Sequence, residues 1–262
     1  MSSTRVLAVA NQKGGVAKTT TVASLGTALA ELGQRVLLVD LDPQACLTFS
    51  LGIDPEDLEL SVHHVLTKGV PVTDVLVTTE DGVDLLPATI ELARAEADLL
   101  TRTGREYVIR SVVEDLDGEY DWVLLDCPPS LGVMTVAALT AATGVLIPLQ
   151  CETLSHRGVG QLLDTVHDVR RFTNRELVVW GVLPTLYDGR TNHARTVLET
   201  ISETYDLDVI EPPIPKTIKF AEAPAAGRSI LATSRSSKGA RAYREVAENL
   251  RTRAGAPAQV DR

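Results

Sequence analysis

The sequence predicts an α/β fold, with a doubly wound, mostly parallel sheet and helices packed on both faces. Short apolar runs alternate with helical patterns along the chain, as in repeated strand–helix units. Several of these runs are continuous stretches of Val, Leu and Ile, which is typical of strands buried on both faces. The 262 residues and 44% hydrophobic content are sufficient for one such unit. We expect a single domain over residues 1–251 and a flexible tail over residues 252–262.

The individual elements can be placed from the hydrophobic pattern. The predicted strands cover residues 5–10, 35–40, 83–87, 121–126, 144–149 and 178–185. The predicted helices cover residues 18–32, 89–117 (broken near Gly104), 131–142, 154–172, 190–204 and 236–250. The stretch 54–79 is rich in turns and is interpreted as an excursion rather than a domain. In such a fold, ligands bind beyond the carboxyl ends of the strands.

The first predicted strand leads into a glycine-rich loop that has the composition of a phosphate-binding site. The apolar run at 6–10 is followed by the loop at 13–20, where the first helical pattern begins. Backbone N–H groups of such a turn and the positive end of the helix dipole both point at an anion. Lys18 would supply a charge to the β- and γ-phosphates of a nucleotide, and the Thr19 hydroxyl would complete the coordination of Mg²⁺.

Two later strands end in carboxylates that suit the same chemistry. The second strand leads into Asp40 and Asp42, which project to the same side of an extended segment. The strand at 121–126 ends in Asp126, which is the arrangement of a Walker B motif. Carboxylates at these positions can hold Mg²⁺ or orient an attacking water, although paired aspartates also commonly cap loops.

The composition argues against several classes of protein. The three cysteines, Cys46, Cys127 and Cys151, form no C-x-x-C pair, so a disulfide framework or a zinc site is not expected. The N-terminal apolar run is too short for a secretory signal, and no segment has the length of a membrane span. We therefore expect a cytoplasmic protein.

The charge is distributed unevenly along the chain. The formal net charge is −10, but residues 212–262 contain ten Lys and Arg against four Asp and Glu. Such an excess fits a face that binds a polyanion, and it fits a solvated C-terminal helix equally well. Charge counting alone leaves both interpretations open.

The phosphate loop and the carboxylate segments resemble those of the ParA/MinD group of deviant Walker A ATPases. The general P-loop pattern has glycines where this chain has Gln12 and Ala17, and the extra lysine, Lys13, is the mark of the deviant loop. The strings D-L-D-P-Q at 40–44 and D-C-P-P-S-L-G at 126–132 are similar to the two switch segments of ParA proteins. Further similar segments lie at 146–152, 188–192 and 214–224, so that the resemblance extends over about residues 5–250. By this resemblance the chain is identified as a member of the ParA/Soj-type partition ATPases, with a P-loop NTPase fold.

The resemblance implies a site for ATP and Mg²⁺ in an ATP-dependent sandwich homodimer. Lys13 would reach across to the partner's nucleotide, Lys18 would bind the phosphates, and Asp42 would position the attacking water. The nucleotide-binding residues implied are Lys13, Gly14, Gly15, Val16, Ala17, Lys18, Thr19, Thr20, Thr185, Pro213, Ile214 and Pro215. The metal-binding residues implied are Thr19, Asp40 and Asp126.

The same resemblance implies that the dimer binds nonspecific double-stranded DNA. The expected DNA contacts are Arg190, Lys216, Lys219, Arg235 and Lys238. Phosphate contacts of this kind give affinity without sequence readout and are strongly salt-dependent. A ParB-like activator protein would stimulate ATP hydrolysis, which is expected to be slow without that partner and DNA. The protein would then segregate or position a chromosome, plasmid or protein cargo while associated with the nucleoid.

Two departures from the family pattern concern the loop and the partner surface. Ala17 replaces the usual loop glycine, and we expect its methyl group to be compatible with a helical N-terminus. Arg157 stands where the family commonly has an acidic residue, which bears on the choice of partner.

Two other functions of the same core compete with the partition interpretation. Membrane cycling of the MinD type requires a C-terminal amphipathic helix, and the stripe formed by Tyr243, Val246, Ala247 and Leu250 is better explained as packing on the domain. We therefore expect no membrane partner. An ATP-dependent biosynthetic ligase would need a pocket for a second substrate, for which no residues stand out.

Overall fold

A single sheet at the centre of the computed structural model, which describes residues 4–152 and 155–255, contains seven strands. The strands are β1 (Arg5–Val9), β2 (Val36–Asp40), β3 (Val77–Thr78), β4 (Asp84–Leu86), β5 (Trp122–Asp126), β6 (Gly144–Gln150) and β7 (Val178–Thr185). Their order across the sheet is β3-β4-β2-β5-β1-β6-β7. Every neighbouring pair is parallel except β3 and β4. The predicted doubly wound, mostly parallel sheet is therefore confirmed.

The helices of the described residues cover both faces of this sheet. They are α1 (Lys18–Glu31), α2 (Cys46–Ser50), α3 (Val62–Lys68), α4 (Leu92–Leu99), α5 (Val108–Glu114), α6 (Val133–Ala141), α7 (Ser155–Phe172), α8 (Asn192–Tyr205), α9 (Lys219–Glu222), α10 (Ile230–Thr233) and α11 (Lys238–Gly255). Helices α3 to α8 pack on one face, whereas α1, α2, α10 and α11 pack on the other.

Alternate residues of the strands supply the two cores. In β2, Leu37 and Val39 join one hydrophobic cluster, while Val36 and Leu38 join the cluster on the opposite face. All four side chains are buried. This double burial explains why the strands have continuous apolar sequences rather than an alternating pattern.

Two parts of the chain differ from the sequence-based expectation. The turn-rich stretch 54–79 contains α3 and all of β3, a two-residue strand that is too short to leave a hydrophobic pattern. The tail predicted to be flexible from residue 252 is helical as far as Gly255, because Arg253 donates hydrogen bonds to the carbonyl of Trp180 at 2.8 Å and to Asp208 at 2.5 Å. The rest of that predicted tail, 256–262, lies outside the described residues.

The C-terminal helix uses its apolar stripe to pack on the domain. Tyr243, Val246, Ala247 and Leu250 are all fully buried against the face that α1 covers. Among the helices of the described residues, none combines the length and apolar character that crossing a membrane requires. The interpretation of this stripe as a packing surface is confirmed.

The strand register brings the predicted site residues to one edge of the sheet. Asp126 at the end of β5 is paired with Asp40 at the end of β2 and with Val9 at the end of β1. On the other side of β1, Thr185 at the end of β7 is paired with Gln150 at the end of β6. The phosphate loop that follows β1 therefore lies between two sets of strand ends.

Candidate nucleotide-binding site

The loop between β1 and α1 has the backbone shape of a phosphate cradle. Gly15 and Ala17 adopt left-handed conformations, with φ of 75° and 65°, directly before α1 begins at Lys18. A Cβ built on Gly14 or Gly15 would meet no heavy atom of the described residues within 4 Å, so open space lies over the loop. Exposed backbone N–H groups next to a helix N-terminus in such a turn form a site for an anion.

The conformation of Ala17 corrects one expectation from the sequence. Ala17 is the N-cap residue of α1, but its φ of 65° and ψ of 35° lie in the left-handed region and not in the helical one. An L-residue pays about 1–2 kcal/mol in that region, a cost that glycine does not have. The loop thus keeps the glycine-type backbone at this position in spite of the substitution.

Buried polar side chains from neighbouring elements hold the loop in place. Asn11 donates a hydrogen bond from Nδ2 to the carbonyl of Pro148 in β6 at 2.8 Å, and its Oδ1 accepts the N–H of Lys13 at 3.0 Å. Thr185 donates from its hydroxyl to the carbonyl of Val16 at 2.8 Å. The loop is therefore tied to β6 and β7 as well as to its own helix.

These contacts refine the sequence-based view of two residues. Thr185 was predicted to bind nucleotide. The structure shows its fully buried hydroxyl bonded to the loop backbone, and its contact with nucleotide stays a prediction. Asn11 was not predicted. A polar residue between a buried strand and a glycine-rich loop is the signal that could have identified it, since a buried amide needs partners.

The two lysines of the loop have different environments. Lys18 is buried, with 7% of its surface exposed, and its Nζ donates to the carbonyl of Lys13 at 3.3 Å. Burial lowers the pKa of Lys18, while the nearby Asp126 and Asp42 act in the opposite direction. The side chain of Lys13 is 33% exposed, and its Nζ lies 2.5 Å from Oε2 of Glu152. Lys18 is thus directed at the loop itself, whereas Lys13 is held outside it.

Asp126 is the residue best suited to a divalent cation. Both of its carboxylate oxygens are buried and have no hydrogen-bond partner among the described residues. Burial and the neighbouring Asp40 raise the pKa of Asp126 well above its usual value, and Thr19 and Lys18 act in the opposite sense. A buried carboxylate without a partner is costly, and a Mg²⁺ ion beside it would remove that cost. Thr19 and Asp126 together therefore fit the predicted metal site.

Asp40 already has protein partners for both of its oxygens. Oδ2 accepts from the N–H and hydroxyl of Thr48 at 2.9 and 2.8 Å, and Oδ1 accepts the N–H of Asp42 at 3.1 Å. The hydroxyl of Thr48 in turn accepts the N–H of Ala88 at 3.0 Å. Burial, opposed by these hydrogen bonds, raises the pKa of Asp40 to about 6. The structure shows Asp40 holding the loop that carries Asp42, and its place in the metal site stays a prediction.

Asp42 lies on this loop, half-buried, at the edge of the phosphate site. Its Oδ1 accepts the N–H of Gln44 at 2.9 Å, and its carbonyl accepts the N–H of Ala45. Its charge acts to raise the pKa of Lys18, against the effect of burial, so the carboxylate lies near the lysine that is directed at the loop. This position is compatible with orienting a water toward a terminal phosphate.

The segment predicted to wall the base runs beside the end of β7. Ile214 is buried, its N–H donates to the carbonyl of Pro184 at 2.7 Å, and its carbonyl accepts the N–H of Tyr187 at 2.9 Å. Pro213 and Pro215 flank it and are half-buried. The structure therefore places this segment next to Thr185, on the same edge as the phosphate loop.

The predicted DNA contacts are exposed and form two groups. Lys216 donates its backbone N–H to the carbonyl of Tyr187, close to the ion pair that Arg190 forms with Asp188 at 2.7 Å. The second group comprises Lys219, Arg235 and Lys238, around α9 and the start of α11. Of these, Lys219 is paired with Glu222 at 2.7 Å and Arg235 with Glu31 at 3.8 Å.

The fold and this loop define a P-loop nucleoside triphosphatase with a deviant Walker A motif. A family model described as an AAA domain matches residues 4–179. The chain is 41% identical to the sporulation initiation inhibitor protein Soj of Bacillus subtilis, over 94% of this chain and 98% of that protein. It is also 41% identical to the chromosome partitioning protein ParA of Caulobacter vibrioides, over 95% and 94% of the two chains. The chain belongs to the ParA/Soj family of P-loop ATPases.

Solved structures include a relative with a different assigned activity. The crystal structure of cobyrinic acid a,c-diamide synthase from Mycobacterium smegmatis with bound ADP and magnesium is 58% identical to this chain, with a TM-score of 0.85. The match covers 94% of each chain. That structure holds ADP and magnesium on the same fold, and its name keeps the biosynthetic alternative open.

Proposed function

We propose that this protein is a partition ATPase that forms an ATP-dependent sandwich dimer, binds nonspecific DNA and releases it after hydrolysis. The observation that carries this proposal is the different placement of the two loop lysines. Lys18 is buried at the phosphate loop, whereas the ammonium group of Lys13 lies outside it, 2.5 Å from Glu152. A lysine outside its own loop is suited to a nucleotide on a second copy of the chain.

ATP and Mg²⁺ are the ligands that the site suits best. The loop N–H groups and Lys18 would bind the phosphates, and Thr19 and Asp126 would hold Mg²⁺, which neutralises charge on the β- and γ-phosphates. Asp42 would orient a water for in-line attack on the γ-phosphorus. The bond from that phosphorus to the bridging oxygen breaks, and ADP and phosphate result. The relative from M. smegmatis, which holds ADP and magnesium, supports this assignment.

The proposed DNA surface is supported by charge rather than by a recognition motif. The residues concerned are exposed cations in the part of the chain where positive charge is in excess, although the protein as a whole is acidic. Cations that contact phosphates release counterions, so binding should weaken steeply with salt. The name of the relative from Caulobacter vibrioides, chromosome partitioning protein ParA, supports a role in partitioning.

A ParB-like activator and a location on the nucleoid complete the proposal. The basal hydrolysis rate should be slow and should rise with DNA and such a partner. The cargo can be a chromosome, a plasmid or a protein assembly. Turnover measured with and without duplex DNA tests the first part of this statement, and a rate that DNA leaves unchanged contradicts it.

The decisive experiment is binding to unrelated duplex DNA with ATP, ADP or no nucleotide, across a salt series. We expect binding with ATP only, with log affinity falling linearly with log salt. Lys13→Gln should lose this binding together with the dimer, while Lys68→Gln, at an exposed lysine on α3, should behave as the wild type. Absence of binding in every nucleotide state overturns the proposed function.

A second candidate function is ATP-dependent amide formation on cobyrinic acid or a similar carboxylate. The specific observation in its favour is the 58% identity to the M. smegmatis synthase. The cysteines do not support glutamine as an ammonia source, because burial raises the pKa of Cys46 and Cys127 and raises that of Cys151 to about 11. Incubation with cobyrinic acid, ammonia and ATP should give no amide. An amide product would replace the partition proposal.

A further inference from the structure

The C-terminal helix is joined to the phosphate-loop helix by one buried polar contact. The hydroxyl of Tyr243 on α11 lies 2.9 Å from the hydroxyl of Thr21 on α1, and the Tyr243 side chain is fully buried. Thr21 belongs to the first turn of α1, where its N–H donates to the carbonyl of Ala17 in the phosphate loop at 2.9 Å. The Tyr243 hydroxyl is therefore bonded to the turn that directly follows the nucleotide-binding residues.

The same tyrosine also contacts the basic segment through an aromatic pair. The ring of Phe220 meets the ring of Tyr243 edge to face, with centroids 5.8 Å apart and an interplanar angle of 87°. Phe220 directly follows Lys219 in α9. One side chain, Tyr243, thus touches both the helix that leaves the phosphate loop and the segment that carries a proposed DNA contact.

A glycine on α11 makes room for the Phe220 ring. A Cβ built on Gly239 would lie 2.7 Å from Cζ of Phe220 and 3.2 Å from Cδ1 of Ile230. Real side chains do not approach so closely, so any residue larger than glycine at 239 would displace the ring. The sequence therefore specifies both parts of this contact, the aromatic ring at position 220 and the glycine that leaves room for it at position 239.

Phe220 is the residue of α9 that packs on the core, beside the buried Ala223 that follows the helix. Lys219 is exposed and the preceding Ile218 is 72% exposed, while Phe220 and Ala223 are turned toward the protein. A four-residue helix contributes little stability of its own. The position of Lys219 consequently depends on where the Phe220 ring is seated.

Helix α11 is also fixed to the far end of α1. Glu31 at the C-terminus of α1 accepts hydrogen bonds from Arg244 of α11 at 2.5 and 3.0 Å. With Thr21 bonded near one end of α1 and Glu31 near the other, α11 is attached to α1 at both ends of that helix. A nucleotide that shifts the start of α1 can therefore shift α11 and the Phe220 ring seated on it.

We propose that Tyr243 and Phe220 are positioning residues that place Lys219 according to the state of the phosphate-loop helix and so couple nucleotide to DNA affinity. This inference rests on the proposed function. It names the buried Tyr243 and the partly buried Phe220 as the residues through which ATP changes DNA binding, although neither belongs to the proposed DNA or nucleotide contacts. A ligand can shift such an equilibrium only through contacts that differ between the two states, and the Thr21–Tyr243 bond is the contact that we assign.

The test compares DNA affinity with ATP and with ADP across a salt series, together with ATP affinity for each variant. Tyr243→Phe removes only the hydroxyl and should reduce the ATP-to-ADP affinity ratio for DNA at least threefold, with ATP affinity unchanged. Tyr205→Phe is the matched control, because it removes a hydroxyl that donates to the carbonyl of His156 on the other face of the sheet. Thr21→Val breaks the same bond from α1 and should reproduce Tyr243→Phe, and Thr21→Ser should restore the ratio.

The salt series separates positioning from a general loss of stability. Phe220→Leu should lower the salt slope with ATP by about 0.9, the value for one phosphate contact, as Lys219→Gln should. The double variant, Phe220→Leu with Lys219→Gln, should lower the salt slope no more than either single variant, because both changes remove the same phosphate contact.

The possible results distinguish this inference from the proposed function. If the wild type shows no ATP-dependent DNA binding, the proposed function fails and this inference fails with it. A second result is that the wild type binds DNA with ATP while Tyr243→Phe and Thr21→Val show the same ATP-to-ADP ratio of DNA affinities as the Tyr205→Phe control. That result overturns this inference and leaves the proposed function intact. Additive slopes for Phe220→Leu and Lys219→Gln would likewise overturn it.

Discussion

The phosphate site and the basic surface of this protein are built in opposite ways. At the phosphate site, Asp40 and Asp126 are fully buried, and only 7% of the surface of Lys18 is exposed. On the basic surface, the side chain of Arg190 is 89% exposed and is paired with Asp188, whose side chain is 37% exposed. The first region has few charges in a medium of low dielectric constant, whereas the second has many charges in water.

This difference determines how each region responds to change. Interactions between buried charges are strong and weakly screened, so one substitution at the phosphate site should have a large effect that salt does not remove. An exposed ion pair contributes about 0–1 kcal/mol and is screened by salt, so single changes on the basic surface should be small. The following predictions test this contrast, beginning with the largest expected effect.

Asp126→Asn should give the largest loss of activity and, at the same time, a more stable ligand-free protein. Removing the carboxylate that faces the metal site should reduce ATP turnover by at least about 100-fold. Burial and the charge of Asp40 raise the pKa of Asp126 in the folded state, so its protonation stabilises the protein at low pH and this contribution is lost as pH rises. Urea unfolding should therefore show the variant becoming more stable relative to the wild type as pH rises above the ordinary pKa of an aspartate, about 4.

Asp121 provides a control of opposite sign for this pH dependence. Its hydrogen bonds from Arg35 lower the pKa of the Asp121 carboxyl, so its contribution to stability is present above its unfolded-state pKa and is lost as pH falls. Asp121→Asn should consequently be less stable than the wild type at neutral pH, with the difference closing in acid. If both variants respond to pH in the same direction, the contrast between buried and exposed carboxylates is wrong.

The phosphate site could be predicted from the sequence because its residues are close together in the chain. The loop at 13–20 and the strand-end carboxylates each belong to a short motif, and the motif specifies both chemistry and local shape. The hydrogen bonds that hold the loop in place could not be predicted in the same way. Asn11 and Lys13 bond to residues 137 and 139 positions away, so only the folded sheet brings these partners together.

On the basic surface, the functional side chains could be predicted from the sequence, but the packing that supports them could not. The cations were identified from the resemblance and from the excess of positive charge, but the packing that places them was not. Phe220 lies in the family-like segment 214–224, whereas Gly239 and Tyr243 lie in α11, and nothing in either sequence predicts that the three residues meet. A glycine in a helical pattern ordinarily lowers helix stability, and only the neighbouring ring explains its presence at position 239.

Lys13 lies at the border of the two regions and should show an intermediate response. Lys13→Gln should abolish ATP-driven dimerisation, measured by light scattering, while ATP still binds. Glu152→Gln should instead strengthen dimerisation by up to about fivefold, because it releases Lys13 from a partly exposed pair of roughly 1 kcal/mol or less.

The control for this prediction is an ion pair of the same type elsewhere. Glu106→Gln breaks the Arg105–Glu106 pair at 3.1 Å and should leave dimerisation unchanged. Weaker dimerisation of Glu152→Gln would mean that Glu152 acts within the dimer itself rather than holding Lys13 in the monomer.

Ala17→Gly should relieve backbone strain inside the phosphate loop. The left-handed alanine costs about 1–2 kcal/mol, and a glycine returns about 0.4–1 kcal/mol of that through the greater entropy of the unfolded chain. The free energy of unfolding should therefore rise by roughly 0.5–1 kcal/mol in urea titrations. Ala45→Gly, at φ 51° in the loop after Asp42, should give a similar gain without altering the phosphate loop.

Comparing these two variants shows whether the strain at position 17 has a functional role. If only Ala17→Gly changes ATP turnover, the strained alanine affects the function of the phosphate loop. If neither variant changes turnover, the backbone strain affects only the stability of the protein. A loss of stability in both variants would contradict the assignment of strain to these two alanines.

Asp188→Asn should have the smallest effect and should depend on salt. It removes the partner that holds Arg190 and lowers the negative charge beside Lys216, so DNA affinity with ATP should rise about two- to threefold at low salt. The gain should vanish at high salt, because both groups are exposed and screened. Asp168→Asn changes the net charge equally, at an exposed position on α7, and should produce no gain. If the gain in DNA affinity of Asp188→Asn persisted at high salt, Arg190 would make a desolvated contact with DNA. The contrast between the two regions would then be wrong for that residue.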